Sequence, residues 1–276
     1  MKYTSTQVQT NKFKMSTYPY NSITSPTPLP IQNSTVYFII GHPDDEVMFF
    51  SPSVVEVAKT KYHNDVKIIC FSQGDSVDVS MGAIRSNELY HSARILGIDK
   101  ENVSILNGFK DGMNETWPVA QIKQVLQEQV TSDKPIVLIT FDENGVSNHP
   151  NHISLYHGTK SYFNSIKKNG NSTRLLILKS LNFWEKYSFT FLTNVELFVA
   201  HLSDLLISNI IHININVSFF NQAPSMSSIK IYSDLNMLSV SYAAMAYGHF
   251  SQMVWFRYGW LLFSRYLTFN HLIEII

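Results

Sequence analysis

The sequence predicts an α/β protein: a largely parallel sheet with helices on both faces and a mixed C-terminal extension. Three observations carry this. Short apolar runs of strand length alternate with helix-length stretches from Val36 to about Leu178. The runs are nearly continuous in apolar character, as strands buried on both faces are. Helix punctuation falls between them at the spacing of βαβ units.

Val36–Ile40 is the first strand candidate. Ser51-Pro52 reads as an N-cap followed by proline at the first helical position, opening a helix to about Lys59. Val66–Phe71 is the second strand, and Ile84–Leu96 a helix ended by Gly97. Val103–Leu106 is a short third strand, Val119–Val130 a helix, and Ile136–Thr140 a fourth strand. His152–Lys167 reads as a helix stopped near Gly170, and Leu175–Leu178 as a fifth strand. Residues 36–276 are expected to form one domain, with a mixed pattern after Lys179. The first 35 residues, with Pro19, Pro26, Pro28 and Pro30 among Ser, Thr, Asn and Gln, are expected to be a flexible tail. They contain neither the apolar core of a signal peptide nor a membrane span.

Composition narrows the function classes. With 45% hydrophobic and 15% charged residues, a chain of 276 residues can bury a sizeable core. A net charge of +0 gives no global reason to expect nucleic acid as a partner. The single cysteine, Cys70, lies in an apolar run, reads as a buried small hydrophobe and excludes an intrachain disulfide. Val195–Ile213 is long and apolar but contains Glu196 and Asp204. An acid at mid-bilayer costs about 2.5–3.5 kcal/mol, so a buried or interfacial helix is expected there instead of a span.

Two loops carry the chemistry. Gly41-His42-Pro43-Asp44-Asp45-Glu46 follows the first strand, and Phe141-Asp142-Glu143-Asn144-Gly145-Val146-Ser147-Asn148-His149-Pro150-Asn151-His152 follows the fourth. Both lie at C-terminal strand ends, where open α/β sheets bind ligands. His42 and Asp45, three apart in a proline-restricted loop, can turn to one point, and His152 can supply a third ligand from the other loop. Three protein ligands leave a position for water, whose pKa zinc lowers towards about 7. Zn2+ is the expected cofactor, although iron or cobalt could occupy the same N/O set. Asp44 is the candidate general base. His149 is the candidate to stabilise an oxyanion or protonate a leaving amine. Asp142 is expected to orient a histidine from behind.

These residues resemble the zinc-dependent N-acetylglucosaminyl-phosphatidylinositol de-N-acetylase family, whose bacterial relatives include deacetylases of mycothiol and bacillithiol synthesis. Arg85-Ser86-Asn87-Glu88-Leu89 is similar to the family's Arg-x-x-Glu-Leu helix, and Asp111-Gly112-Met113 with Trp117 to its Asp-Gly-Met loop. His249 to Arg257 and Ser264-Arg265-Tyr266 resemble the eukaryotic branch. The resemblance covers about Val36 to the C-terminus. It implies a Rossmann-like fold, zinc on His42, Asp45 and His152, Asp44 as base, His149 as oxyanion stabiliser or acid, and Arg85 near the substrate. The chain departs from the family at Asn148, where glycine is usual, and in a longer Gly74–Arg85 loop.

The expected reaction is hydrolysis of the acetamide of N-acetylglucosaminyl-phosphatidylinositol, the second step of glycosylphosphatidylinositol-anchor synthesis, at the cytoplasmic face of the endoplasmic reticulum membrane. The partner is then a phosphatidylinositol glycolipid, with peripheral membrane contact. Trp255 and Trp260 beside Arg257 and Arg265 suit either the headgroup region or a core helix with two salt-bridged arginines. Two rival functions remain: deacetylation of a soluble glycoside, and a non-enzymatic scaffold on the same fold.

Overall fold

The computed structural model describes residues 30–76, 78–167, 172–206 and 228–276. Five strands run parallel: β1 (Thr35–Ile40), β2 (Asp65–Cys70), β3 (Val103–Ile105), β4 (Ile136–Phe141) and β5 (Thr173–Leu178). Every residue of β1 is buried, as its unbroken apolar sequence Val-Tyr-Phe-Ile-Ile requires. The C-terminal extension completes the sheet. β7 (Phe269–Ile275) pairs antiparallel with β5, and β6 (Ser228–Tyr232) pairs antiparallel with β7, giving the order β3-β2-β1-β4-β5-β7-β6.

This order positions the site. β1 lies between β2 and β4, so the chain winds outward in one direction through β2 and β3 and in the other through β4 and β5. The loops after β1 and β4 therefore diverge from the sheet side by side, at the crevice where such folds bind ligands.

The helices follow their sequence cues. After the one-turn α1 (Asp45–Met48) come α2 (Ser51–Val57), α3 (Met81–Leu96), α4 (Val119–Gln129), a broken turn α5 (Gly145–Asn148) and α6 (Pro150–Lys167). Gly97 ends α3 at φ 98°, and Ile98 N donates back to Ala93 O at 2.8 Å, the closure that favours glycine. Ser51 is not the N-cap expected of it. Phe50 holds that place, and the Ser51 hydroxyl is buried inside the first turn. α4 and α6 approach closely because residue 158 is glycine; a Cβ there would lie 2.3 Å from Ile122 Cγ2.

Beyond β5 come α7 (Phe183–Lys186), α8 (Phe191–Leu206), α9 (Leu235–Ala243), a π turn at Ala244–Gly248, and α10 (Trp255–Phe263). Among the described residues no helix is long and apolar enough to cross a membrane. The expected helix over Val195–Ile213 begins earlier, at Phe191, and residues 207–213 lie outside the described part. Of the expected tail, residues 1–29 also lie outside it. Packing begins before Val36, however. Ile31 is only 1% exposed in the core, and β1 starts at Thr35.

Both arginines of the C-terminal aromatic segment are ion-paired. Arg265 is buried against Glu196 at 2.7 Å, and Arg257 reaches Asp44 at 2.7 Å. Trp260 is buried as well. Arg265 and Trp260 therefore belong to the interior, whereas Trp255, Phe256, Tyr258, Leu262 and Phe263 are exposed.

Candidate metal centre and active site

The loop after β1 is tied by a single carboxylate oxygen. Asp45 Oδ2 accepts from Gly41 N at 2.9 Å and His42 N at 2.8 Å, closing a tight turn over Pro43. The turn throws Asp44 to φ 121°, a conformation few side-chain-bearing residues adopt. The second loop meets it from β4. His152 sits on the first turn of α6, its ring stacked 3.8 Å from that of Phe141 at the end of β4. Gly41 permits the approach, since a Cβ there would lie 3.0 Å from His152 Cδ2.

Three ligand atoms then converge. His152 Nε2 lies 3.2 Å from His42 Nδ1 and 3.2 Å from Asp45 Oδ2, and His42 Nδ1 lies 3.5 Å from Asp45 Oδ2. Zinc–ligand bonds of about 2.0–2.2 Å in a tetrahedron separate neighbouring ligands by roughly 3.3–3.6 Å. The observed triangle fits that edge length. A wider set also exists, since ring nitrogens of His42, His149 and His152 lie within 4.8 Å of one another. The trio containing Asp45 is tighter and includes a charge-neutralising carboxylate, so it is the better cation site.

The charges of the metal-free triangle point the same way. Burial opposes a proton on His42, but the Asp45 and Asp111 carboxylates outweigh it and lift its pKa to about 10. Burial likewise opposes ionisation of Asp45, yet His152 and His42 hold its carboxyl well below the usual range. The site thus attracts positive charge at its centre.

The far nitrogen of each ligand histidine is engaged. His42 Nε2 lies 3.0 Å from Asp111 Oδ1 and 3.0 Å from Asn151 Oδ1. His152 Nδ1 lies 3.1 Å from the Gly145 carbonyl. Donation to these acceptors leaves His42 Nδ1 and His152 Nε2 as the lone-pair atoms facing the triangle. The orienting carboxylate is therefore Asp111. Asp142 does something else: it accepts from Ser180 N at 2.6 Å, Ser180 Oγ and Asn144 N. Ser180 Oγ in turn accepts from Val146 N at 2.8 Å. Asp142 braces the loop whose Gly145 carbonyl receives His152, and its expected contact with a histidine is not made.

That loop is strained at two side-chain-bearing positions, Val146 at φ 64° and Asn148 at φ 56°. The second explains the departure from glycine at 148, because asparagine is among the residues that best tolerate left-handed backbone.

Asp44 is buried beside the triangle. Its Oδ2 lies 2.7 Å from Arg257 Nη2 and 3.5 Å from Arg85 Nη2. The Arg85 guanidinium is engaged at both terminal nitrogens, while its buried Nε has no partner among the described residues. Nη2 donates to Pro43 O at 2.7 Å, Nη1 donates to Gly74 O, and Asp111 Oδ2 lies 3.9 Å away. Arg85 thus links the Asp44 and Asp111 sides of the site.

His149 packs against both ligand histidines, with ring centroids 4.8 Å from His42 and 4.7 Å from His152. Burial and the charges of His152 and His42 lower its pKa to about 4. Its Nδ1 accepts from Asn151 N at 3.3 Å, which leaves Nε2–H as the donor of a neutral ring.

Beneath Asp44 lies a buried polar cluster that sequence reasoning missed. Glu46 Oε1 accepts from Ser92 Oγ at 2.5 Å and pairs with His249 Nε2 at 2.5 Å, while Glu46 Oε2 accepts from Asp44 N at 3.1 Å. Glu46, Ser92 and His249 are all fully buried. Glu46 and His249 each fell within a motif, but 203 residues separate them, so no spacing could join them.

Comparisons with known proteins identify the family and the fold. The family described as PIG-L, GlcNAc-PI de-N-acetylase, matches residues 37–163. A Schizosaccharomyces pombe protein named probable N-acetylglucosaminyl-phosphatidylinositol de-N-acetylase is 31% identical, over 86% of this chain and 85% of its own length. A Dictyostelium discoideum protein of the same name is 31% identical, over 87% and 93%. A Bos taurus protein named N-acetylglucosaminyl-phosphatidylinositol de-N-acetylase is 29% identical, over 88% and 85%. Among solved structures, a deacetylase of teicoplanin biosynthesis superposes with a TM-score of 0.54 at 12% identity, covering 87% of this chain and 98% of that one. At that identity the likeness speaks for the fold alone.

Proposed function

The chain belongs to the N-acetylglucosaminyl-phosphatidylinositol de-N-acetylase family, and from that premise we propose that it is a zinc-dependent hydrolase of the acetamide of N-acetylglucosaminyl-phosphatidylinositol. The products are glucosaminyl-phosphatidylinositol and acetate, and the reaction is the second step of glycosylphosphatidylinositol-anchor synthesis. The observation that carries the metal reading is the His42–Asp45–His152 triangle, with edges of 3.2, 3.2 and 3.5 Å.

His42, Asp45 and His152 would hold the ion. A divalent cation there supplies Lewis acidity, acidifying water and polarising the acetyl carbonyl oxygen. Asp44 takes the proton of the attacking water and returns it to the glucosamine nitrogen as the C–N bond breaks, so that the amine and acetate can leave. Arg257 and the strained turn fix its carboxylate, so little reorganisation is needed at the moment of transfer. His149, neutral at pH 7, donates a hydrogen bond from Nε2–H to the oxyanion as the carbonyl carbon becomes tetrahedral. Arg85 acts on geometry, holding the Pro43 carbonyl and both flanking carboxylates in register. Asp111 fixes the tautomer of His42.

The reading extends to location, at the cytoplasmic face of the endoplasmic reticulum membrane. Exposed Trp255, Phe256 and Phe263 on α10, with Phe183 and Trp184 on α7, form an aromatic surface suited to the headgroup region. Replacing Trp184 and Trp255 together by alanine should weaken binding to liposomes while the fold persists; unchanged binding refutes this contact. Cofractionation of the tagged chain with another compartment would refute the location.

The central test is a deacetylation assay of the purified protein on the phospholipid glycoside and on N-acetylglucosaminyl-inositol, before and after chelation and zinc add-back. Preference for the phospholipid, loss on chelation and recovery with zinc support the proposal. Preference for the soluble compound would favour the soluble-glycoside rival. Absence of turnover on both after metal loading would favour the scaffold.

A further inference from the structure

We propose that a cavity of about 420 Å3 between α7 and α10, beside the metal triangle, is the subsite for the phosphodiester of the substrate. The proposal rests on the phospholipid-glycoside reading above and adds the residues that would recognise its charge.

Two cations line this cavity, Lys186 at the end of α7 and Arg257 on the first turn of α10. Arg257 is balanced by Asp44 through Nη2, and its buried Nε has no partner among the described residues. Lys186 is half-buried and donates to the neutral Ser147 hydroxyl, with no ion pair among the described residues. Burial lowers its pKa, because desolvation disfavours the charged form; besides Ser147, its ammonium has the Tyr187 ring, 5.7 Å away, as a neighbour. With Arg257 and Asp44 cancelling, the cavity retains about one positive charge, which a singly charged diester would neutralise.

The walls argue for a phosphate with apolar substituents over a bare ion. Met48, Phe49, Phe256 and Phe263 face the same space, and the exposed aromatics Phe183 and Trp184 stand on α7 alongside. Two lining residues also touch the reacting centre. Phe49 lies with its ring 5.9 Å from that of His152, and Arg257 touches the proposed base. A sugar held at the triangle could therefore extend its inositol phosphate towards Lys186 and its diacylglycerol towards the aromatic rim.

The test compares Lys186→Gln and Lys186→Arg with the wild type on the phospholipid glycoside and on N-acetylglucosaminyl-inositol, which lacks the phosphate. Loss of one charge-assisted contact should raise KM for the phospholipid glycoside about tenfold with kcat within about twofold, and leave the soluble substrate unchanged. Lys186→Arg should restore KM. In the wild type, glycerophosphoinositol should inhibit at about one-tenth the concentration of inositol, a readout that needs no variant. Binding of Lys186→Gln to phosphatidylinositol vesicles should equal that of the wild type. Equal KM changes on both substrates, no change on either, or equal inhibition by the two inositols would overturn the subsite. A loss of vesicle binding parallel to the KM change would assign the charge to the bulk membrane surface and also overturn it. A wild type inactive on the phospholipid glycoside would refute the substrate reading itself, whereas an active wild type matched by Lys186→Gln would refute only the subsite.

Discussion

Glu46→Gln tests how the fold supports the catalytic loop. The carboxylate receives three donors, Ser92 Oγ, His249 Nε2 and Asp44 N, in a pocket without water access. Glutamine keeps the shape but replaces one acceptor oxygen by an NH2 that must face a donor. Breaking a buried charge pair from one side costs about 3–5 kcal/mol. For a domain of this size that corresponds to a fall in Tm of roughly 6–20 °C. The pH dependence is specific. Burial opposes the charge on His249, but Glu46 outweighs it, so its folded pKa is raised above the ordinary value. The stabilisation from this pair is then complete below about pH 6.5 and is lost as pH rises through the raised folded value. Chemical denaturation of both proteins between pH 5.5 and 9 should show the largest gap at the acidic end, narrowing upward. A gap below about 1 kcal/mol at pH 6, or one that widens with pH, would refute the role assigned to the cluster.

Other perturbations act nearer the ligands. Asp111→Asn removes the carboxylate behind His42 and should weaken zinc binding about tenfold to a hundredfold by competition with a chromophoric chelator; Asn151 remains at 3.0 Å as a partial substitute, favouring the lower figure. Because His42 has a pKa of about 10 without metal, loading zinc at pH 7 should release about one proton, and apparent affinity should rise with pH until about 10. Calorimetry in buffers of different ionisation enthalpy reads this directly, and a heat independent of buffer would contradict it. Asn148→Gly should leave thermal stability within about 1 kcal/mol, whereas Asn148→Val should lose about 1–3 kcal/mol at its left-handed φ of 56°.

What could be read before the structure was local. Val36–Ile40 and Ile136–Thr140 announced buried strands through unbroken apolar character, and the residues following them carried both ligand loops. Gly97 ended its helix as read. Pairings made across the fold were hidden. Asp111 lies far along the chain from His42, and only the parallel winding brings its loop under the imidazole. Asp142, expected to orient a histidine, instead accepts from Ser180. The insertion of β7 between β5 and β6 was also invisible, although Ile229 and Ile231 carry the period of a strand with one face buried. Likewise, the bonds of Arg85 to the Gly74 and Pro43 carbonyls, and its place between Asp44 and Asp111, are contacts that sequence cannot display.

The most direct measurement is metal X-ray absorption on the zinc-loaded chain, paired with the metal content of Asp45→Ala. The expected result is one ion per chain, with N/O neighbours at about 2.0–2.2 Å, outer-shell scattering from two imidazoles, and loss of the ion in the variant. A protein that binds no divalent metal would contradict the account. So would three imidazoles on the ion, with Asp45→Ala still fully loaded.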